Sequence, residues 1–272
     1  MVPLRKVALA WRAADCNHRA QRGTRKSRCH AGKRTVSDSP TPRASGWVKY
    51  YAATEGRPPR PTLLAALDRF AAEGICGTAA DLGCGDGRDA IELLRCGWRV
   101  VAVDSEPVAL ERLATRTDLP AGARLDLRAE KFETAEWGPV ELVNASFALP
   151  FCAPPAFAAL WQKIDTSIVT GGRFAGQLCG PRDSWAERGM DDRPVTFHEE
   201  TTARALFANY ALELFEIEET DSVTPRGETK HWHLFHVVAR KRLQPSQRQR
   251  RRPQPSCQPP PPIKTLPVTG GP

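Results

Sequence analysis

Two carboxylates and three closely spaced glycines set the chemistry open to this sequence. Asp81 stands two residues before Gly83, and Gly85 and Gly87 complete a G-x-G-x-G run with Cys84 inside it. Glycines at such a turn let the backbone bend sharply and approach a ligand with no Cβ in the way. Asp104 follows about twenty residues past the glycines, where a ribose needs an acceptor for its two hydroxyls. Turns spaced G-x-G-x-x-G usually hold a pyrophosphate at a helix N-terminus. The spacing here is different, and Asp81 would repel a pyrophosphate while attracting an ammonium, directly or through water.

These residues need a strand, a turn, a helix and a second strand to hold them. Thr78 to Leu82 is short and mostly apolar, as a strand covered on both faces should be. Ala90, Ile91, Leu93, Leu94 and Cys96 recur at helical spacing, with Gly97 placed to end that helix. Trp98 to Val103 forms the second strand and ends in Asp104. Further strands are expected at Ala123–Leu127, Glu141–Ser146, Arg173–Leu178, Leu212–Thr220 and Lys230–Lys241. Helices fit Leu63–Phe70, Pro107 to about Arg116 with Ser105 as a capping residue, Pro154–Val169 with Gly171-Gly172 beyond its end, and Thr201–Tyr210. The expected fold is α/β: a doubly wound, seven-stranded, mostly parallel sheet closed by a C-terminal antiparallel hairpin.

The run D-L-G-C-G-D-G resembles motif I of the class I S-adenosylmethionine-dependent methyltransferases, a Rossmann-like fold. The resemblance implies S-adenosylmethionine as cofactor, its aminoacyl part over the turn of Asp81, Gly83, Cys84, Gly85 and Gly87, and its ribose on Asp104. It also implies a polar side chain after the third strand near the adenine amine, here Glu130. Ser105, beside Asp104, and Asn144, at the end of the fourth strand, complete the candidate cofactor set. Ligands of doubly wound sheets bind outside the carboxyl ends of the strands, so Asn144, Ser146 and Phe147 should face the reaction site. The segment N-A-S-F-A-L-P-F and the strand K-H-W-H-L-F-H are similar to bacterial small-molecule methyltransferases of the tellurite-resistance and ubiquinone-pathway type. The [D/N/S]-P-P-[F/Y/W] pattern of exocyclic-amine enzymes is missing, and Pro150-Phe151-Cys152 is not the Pro-Cys of cytosine C5 enzymes.

The implied reaction is an in-line displacement at a sulfonium methyl, which needs alignment, exclusion of water and removal of a proton where the acceptor carries one. His231 and His233 share a face at the start of the last strand, so either is a candidate general base near neutral pH, or both only bind or pack. Trp47, Tyr50 and Tyr51 either face the sulfonium or cap the core. The polar stretch after Leu178 has the length of a lid, with Arg182, Asp183 and Trp185 either touching substrate or forming a solvated connection.

Charge divides the chain. Residues 1–45 carry 11 Lys/Arg against 2 acidic residues and residues 243–272 carry 5 against none, leaving 23 basic and 29 acidic residues between. The basic ends are expected to be disordered around a methyltransferase domain at 46–242. The first is read as a transit peptide, a nucleic-acid-binding arm, or a reading frame opened too early; with no methionine between Met1 and Met190, a true start near Trp47 would need a non-AUG codon, for example at Val36 or Val48. The second is a Pro/Arg-rich tail. Eight cysteines without a C-x-x-C pair imply no metal and suit a reducing cytoplasm, and no apolar run has the length of a membrane span. The expected function is methyl transfer to a small-molecule acceptor. Methylation of RNA or protein through the basic ends, or cofactor binding without transfer, are the alternatives. Oligomeric state is not legible.

Overall fold

A computed structural model describes residues 46–190, 193–224 and 227–242. The chain divides into units 1–42 and 43–272, and every described residue lies in the second. The expectations for 1–45 and 243–272 fall outside the described residues.

Two helices, α1 (Gly46–Thr54) and α2 (Pro61–Ala72), precede a repeating strand and helix pattern. It comprises β1 (Thr78–Leu82), α3 (Arg88–Arg95), β2 (Arg99–Asp104), α4 (Pro107–Ala114), β3 (Arg124–Ala129), β4 (Val140–Ala145), α5 (Pro154–Ser167) and β5 (Ile168–Cys179). The chain then forms α6 (Trp185–Arg188), α7 (Glu200–Leu206), β6 (Tyr210–Val223) and β7 (Thr229–Lys241). The seven strands lie in the order β3-β2-β1-β4-β5-β7-β6. β1 to β5 run parallel, while β7 is antiparallel to both β5 and β6. This is the Rossmann-like methyltransferase sheet that the sequence implies, including its C-terminal hairpin.

Alternation along the strands feeds two apolar cores. Val100, Ala102 and Leu142 pack on one face with Leu63, Phe70, Ile91 and Leu113 from α2, α3 and α4. Val101, Val103 and Val143 pack on the other with Phe157, Leu160 and Ile164 from α5 and with Phe207, which caps the end of α7. With both faces covered, the open ground lies at the carboxyl ends of the strands. There β1 and β4 are neighbours whose connections leave in opposite directions, the crevice where such sheets bind ligands.

Several boundaries differ from expectation: the helix expected through Tyr210 ends at Leu206, and Tyr210 opens β6. β5 begins at Ile168 rather than Arg173, running through the glycine pair that reads as a helix stop. A Cβ on Gly172 would lie 2.6 Å from the Glu141 carbonyl oxygen, and the β4/β5 register shifts between Val140 and Leu142. The glycines thus permit a bulge between paired strands. Ser105 does not cap α4, whose N-cap is Glu106.

Gly87 joins fold to site. It caps α3 with φ +88°, and a Cβ there would stand 2.2 Å from Leu113 Cδ1 in α4. Gly87→Ala should therefore cost about 1–3 kcal/mol through overpacking and left-handed strain. This would be read as a lower urea midpoint at unchanged slope.

Candidate cofactor and acceptor site

The site is built around an amide. Strand register sets Asp81 of β1 beside Asn144 of β4, and the Asn144 side-chain nitrogen donates to Asp81 Oδ1 at 2.8 Å and to Asp89 Oδ2 at 3.0 Å. Its oxygen accepts the Ser146 hydroxyl at 3.0 Å, and Asp89 Oδ1 accepts the Arg60 backbone N–H at 2.9 Å. All three clasped side chains are buried. Burial, and next the charge of Asp89, pushes the Asp81 carboxyl well above the ordinary carboxylate range, against the pull of the Asn144 amide. Asp81 Oδ2 is enclosed without a hydrogen-bond partner.

The glycine turn leaves β1 beside this clasp. The backbone N–H groups of Gly83 and Cys84 both donate to the Val103 carbonyl, at 2.8 and 3.1 Å, tying the turn to β2. Asp104 completes the tie: Oδ2 accepts the Gly85 N–H at 2.8 Å and Oδ1 the Glu106 N–H at 2.9 Å. Each oxygen keeps a further lone pair for a hydroxyl. Tyr51 of α1 lies over the turn, its Cε1 2.9 Å from where a Gly85 Cβ would be. Burial drives its hydroxyl pKa upward, with Asp104 adding to the effect.

A cavity of about 750 Å³ opens over these groups, within the range of small-molecule sites. Lys131, Phe132 and Glu133 border it after β3. Beyond Phe147 its wall is aromatic. Trp47 meets Phe151 at 5.1 Å between ring centres, Phe151 meets Trp185 at 5.9 Å, Trp185 meets Trp232 at 5.6 Å, and Trp232 meets Phe147 at 6.1 Å. Phe147 takes φ +54°, and its N–H donates to Gln177 Oε1 at 2.9 Å, while Gln177 donates to Thr62. Behind Trp185 and Trp232, Lys230 pairs with Asp183, both wholly enclosed. The Lys230 ammonium lies 3.7 and 4.3 Å from the two ring centres.

Residues 79–172 match a family model described as a methyltransferase domain. Over that stretch the chain carries a methyltransferase domain, and S-adenosylmethionine is its cofactor. No curated protein matches it significantly. TehB from Haemophilus influenzae is similar at 14% identity and TM-score 0.55, over 71% of this chain and 67% of that one. Magnesium protoporphyrin IX methyltransferase from Synechocystis PCC 6803, solved with bound SAH, is similar at 14% identity and TM-score 0.55, over 73% of this chain and 95% of that one. N-methyltransferase NodS from Bradyrhizobium japonicum WM9 is similar at 12% identity and TM-score 0.51, over 66% and 94%. At these identities the likeness is one of fold.

The methyltransferase brings Asp81, Gly83, Cys84, Gly85, Asp104 and Ser105 to one cavity. The donor set fits the cofactor: an unpartnered buried carboxylate oxygen for an ammonium, and two part-used oxygens for a ribose. Asn144 stands behind the wall and orients the acids, and Gly87 packs on α4. Glu130 is exposed, and the three residues after it reach the cavity instead.

His231 and His233 do not line the cavity, because successive residues of a strand face opposite ways and Trp232 is the one turned inward. His231 pairs with Asp221 at 2.8 Å, which raises its pKa. His233 accepts the Arg182 N–H, and burial, then Arg182, lowers its pKa. Of the loop candidates only Trp185 borders the cavity. Arg182 pairs with Glu219 on the surface. Asp89 was not singled out by sequence, although it lies four residues past Gly85 on the helix face that returns to β1. Among the described residues no helix is long and apolar enough to cross a membrane, and no cluster of acidic, His or Cys side chains could hold a metal ion. Cys84, Cys96, Cys152 and Cys179 are free thiols.

The raised Asp81 pKa has a defined sign. Above the ordinary value of 3.8 the unfolded chain releases this proton before the folded one does, so stability falls as pH rises through that window. Asp81→Asn should therefore raise the urea midpoint at pH 7, lose that gain near pH 3, and weaken cofactor binding.

Proposed function

We propose that this enzyme methylates a small, flat, largely apolar acceptor held among Trp47, Phe147, Phe151, Trp185 and Trp232. The observation that carries the reading is the run of ring contacts along the cavity wall, from Trp47 in α1 through Phe151 and Trp185 in α6 to Trp232 and Phe147. Faces and edges of rings fit a planar molecule, and their apolar bulk excludes the water that would compete for position. A magnesium protoporphyrin and an N-methyl acceptor appear in the names of the similar structures, which is in keeping with a small-molecule acceptor.

Bound S-adenosylmethionine supplies a methyl group already activated on sulfur. The protein's remaining work is alignment. In this reading Asp104 and Ser105 hold the ribose, Asp81 the ammonium, and Lys131, Phe132 and Glu133 border the adenine. The turn at Phe147 sets its ring on the cavity wall against Trp232. The described groups on the wall that can take a proton from an acceptor are carboxylates, Asp86, Glu133 and Glu228 among them, and no described histidine is there. An acceptor that is already an amine, anion or thiolate needs no base. His231 and His233 then lie outside the wall; the His233 backbone N–H donates at 3.3 Å to Asp183, which pairs with Lys230 beside the tryptophans.

Release of S-adenosylhomocysteine measured across aromatic phenols, amines and heterocycles, total RNA and a protein mixture tests the proposal. Turnover is expected with small aromatic acceptors. Trp232→Ala should lower their kcat/KM roughly tenfold or more, about 1.4 kcal/mol, with cofactor affinity unchanged. Methylation confined to RNA or protein, falling steeply with salt, would overturn it.

A further inference from the structure

A wall of Trp47, Phe147, Phe151, Trp185 and Trp232 would ordinarily attract a cationic guest, because the face of each ring carries the negative part of a quadrupole. Here four of the five rings already carry a cation of the protein. The Lys230 ammonium stands over Trp185 and Trp232 at 3.7 and 4.3 Å from the ring centres. The Arg60 guanidinium stands over Phe147 at 4.2 Å, and that of Arg193 over Trp47 at 5.9 Å.

Lys230 differs from the two arginines in being wholly enclosed, in the corner between two indoles inclined at 65°. Its partner Asp183 does not cancel it at the rings. That carboxylate also accepts the backbone N–H groups of Trp185 at 3.0 Å and His233 at 3.3 Å, so three donors share its charge while the ammonium lies on the indoles. Glu228, a wall carboxylate two residues before Lys230, is exposed, and water screens it. Trp232 has its own polar group engaged, the indole N–H donating to the Ser222 hydroxyl at 2.8 Å, and offers a guest only its ring.

A guest cation within about 6 Å of either indole centre would stand within about 10 Å of this ammonium. Enclosed charges are poorly screened, so the two would repel. A guest anion meets the opposite situation, rings whose electron density is drawn toward Lys230.

We propose that Lys230 sets the charge of the acceptor: the wall takes a planar aromatic anion and rejects a planar aromatic ammonium. Lys230 is a positioning residue that acts through Trp185 and Trp232. The inference rests on the reading of this wall as the acceptor site. An anionic acceptor such as a phenolate brings the electron pair of the new bond to carbon, the pair of the broken S–C bond stays on sulfur, and no proton has to be removed. That accords with a wall on which no described histidine lies.

Equilibrium dialysis of the full chain, with S-adenosylhomocysteine present, against 2-naphthoate and 2-naphthylmethylammonium tests it, since the two probes share a ring and differ in charge. Wild type should hold the naphthoate about tenfold more tightly. Lys230→Arg should keep that preference. The double variant Asp183→Asn/Lys230→Met leaves no buried charge unpaired and has the net charge of wild type, so a general attraction for anions would survive in it. The account expects the two affinities to converge there. An unchanged preference in the double variant would overturn the inference. So would wild type that holds the ammonium as tightly as the naphthoate, a comparison independent of how the variants fold. Wild type that binds neither probe would instead overturn the reading of the wall as an acceptor site, and this inference with it.

Discussion

The site depends on one buried amide between two carboxylates. Removing Asp81 and Asp89 from water side by side is unfavourable twice over, through lost hydration and through mutual repulsion. The Asn144 nitrogen offsets part of this by donating to both, and the Arg60 backbone adds a donor to Asp89. One oxygen of Asp81 is still left without a partner. A fold selected for stability alone would place an amide or an apolar side chain there. Retaining the acid makes sense if a cation completes the arrangement, and the cofactor of this fold carries one.

Other features follow from that clasp. Asn144 can reach both acids because β4 pairs with β1 in a register that sets it beside Asp81, and Asp89 reaches it because Gly87 allows α3 to start close against the sheet. Two residues on from Asn144, the chain turns through Ser146 into the left-handed Phe147, held by Gln177 and Thr62. A non-glycine residue in that conformation costs of order 1 kcal/mol or more. In return the turn brings the Phe147 ring to the cavity wall, in contact with Trp232 and the Arg60 guanidinium. The Lys230–Asp183 pair does comparable work behind Trp185 and Trp232, ordering two large rings that would otherwise be free to turn.

The parts legible in sequence were those dictated by local pattern. Apolar runs, the G-x-G-x-G spacing and the position of Asp104 depend on nearby residues, and the strands, the turn and the cofactor class follow from them. Glu130 and the two histidines show where local pattern stops. Whether a side chain at a strand end faces the cavity depends on one residue of register, and a slip of one turns it away. That is why Trp232 faces inward between two histidines that do not; Glu130 lies past the end of β3, where the chain turns and the three residues after it border the cavity. Asp89 and the pairing of Asp183 with Lys230 were hidden for another reason. Their significance comes from contacts 55 and 47 residues apart in the chain, which leave no mark on spacing.

The most direct test is the pH dependence of S-adenosylmethionine affinity, measured by titration calorimetry from the ordinary carboxylate range, about pH 4, up to the onset of titration of the ligand's own amine. If the clasped acid receives the ammonium, affinity should rise with pH as Asp81 ionises, with protons released on binding, and Asp81→Asn should bind more weakly with a flat profile. A wild-type profile as flat as that of the variant, at equal affinity, would contradict the account.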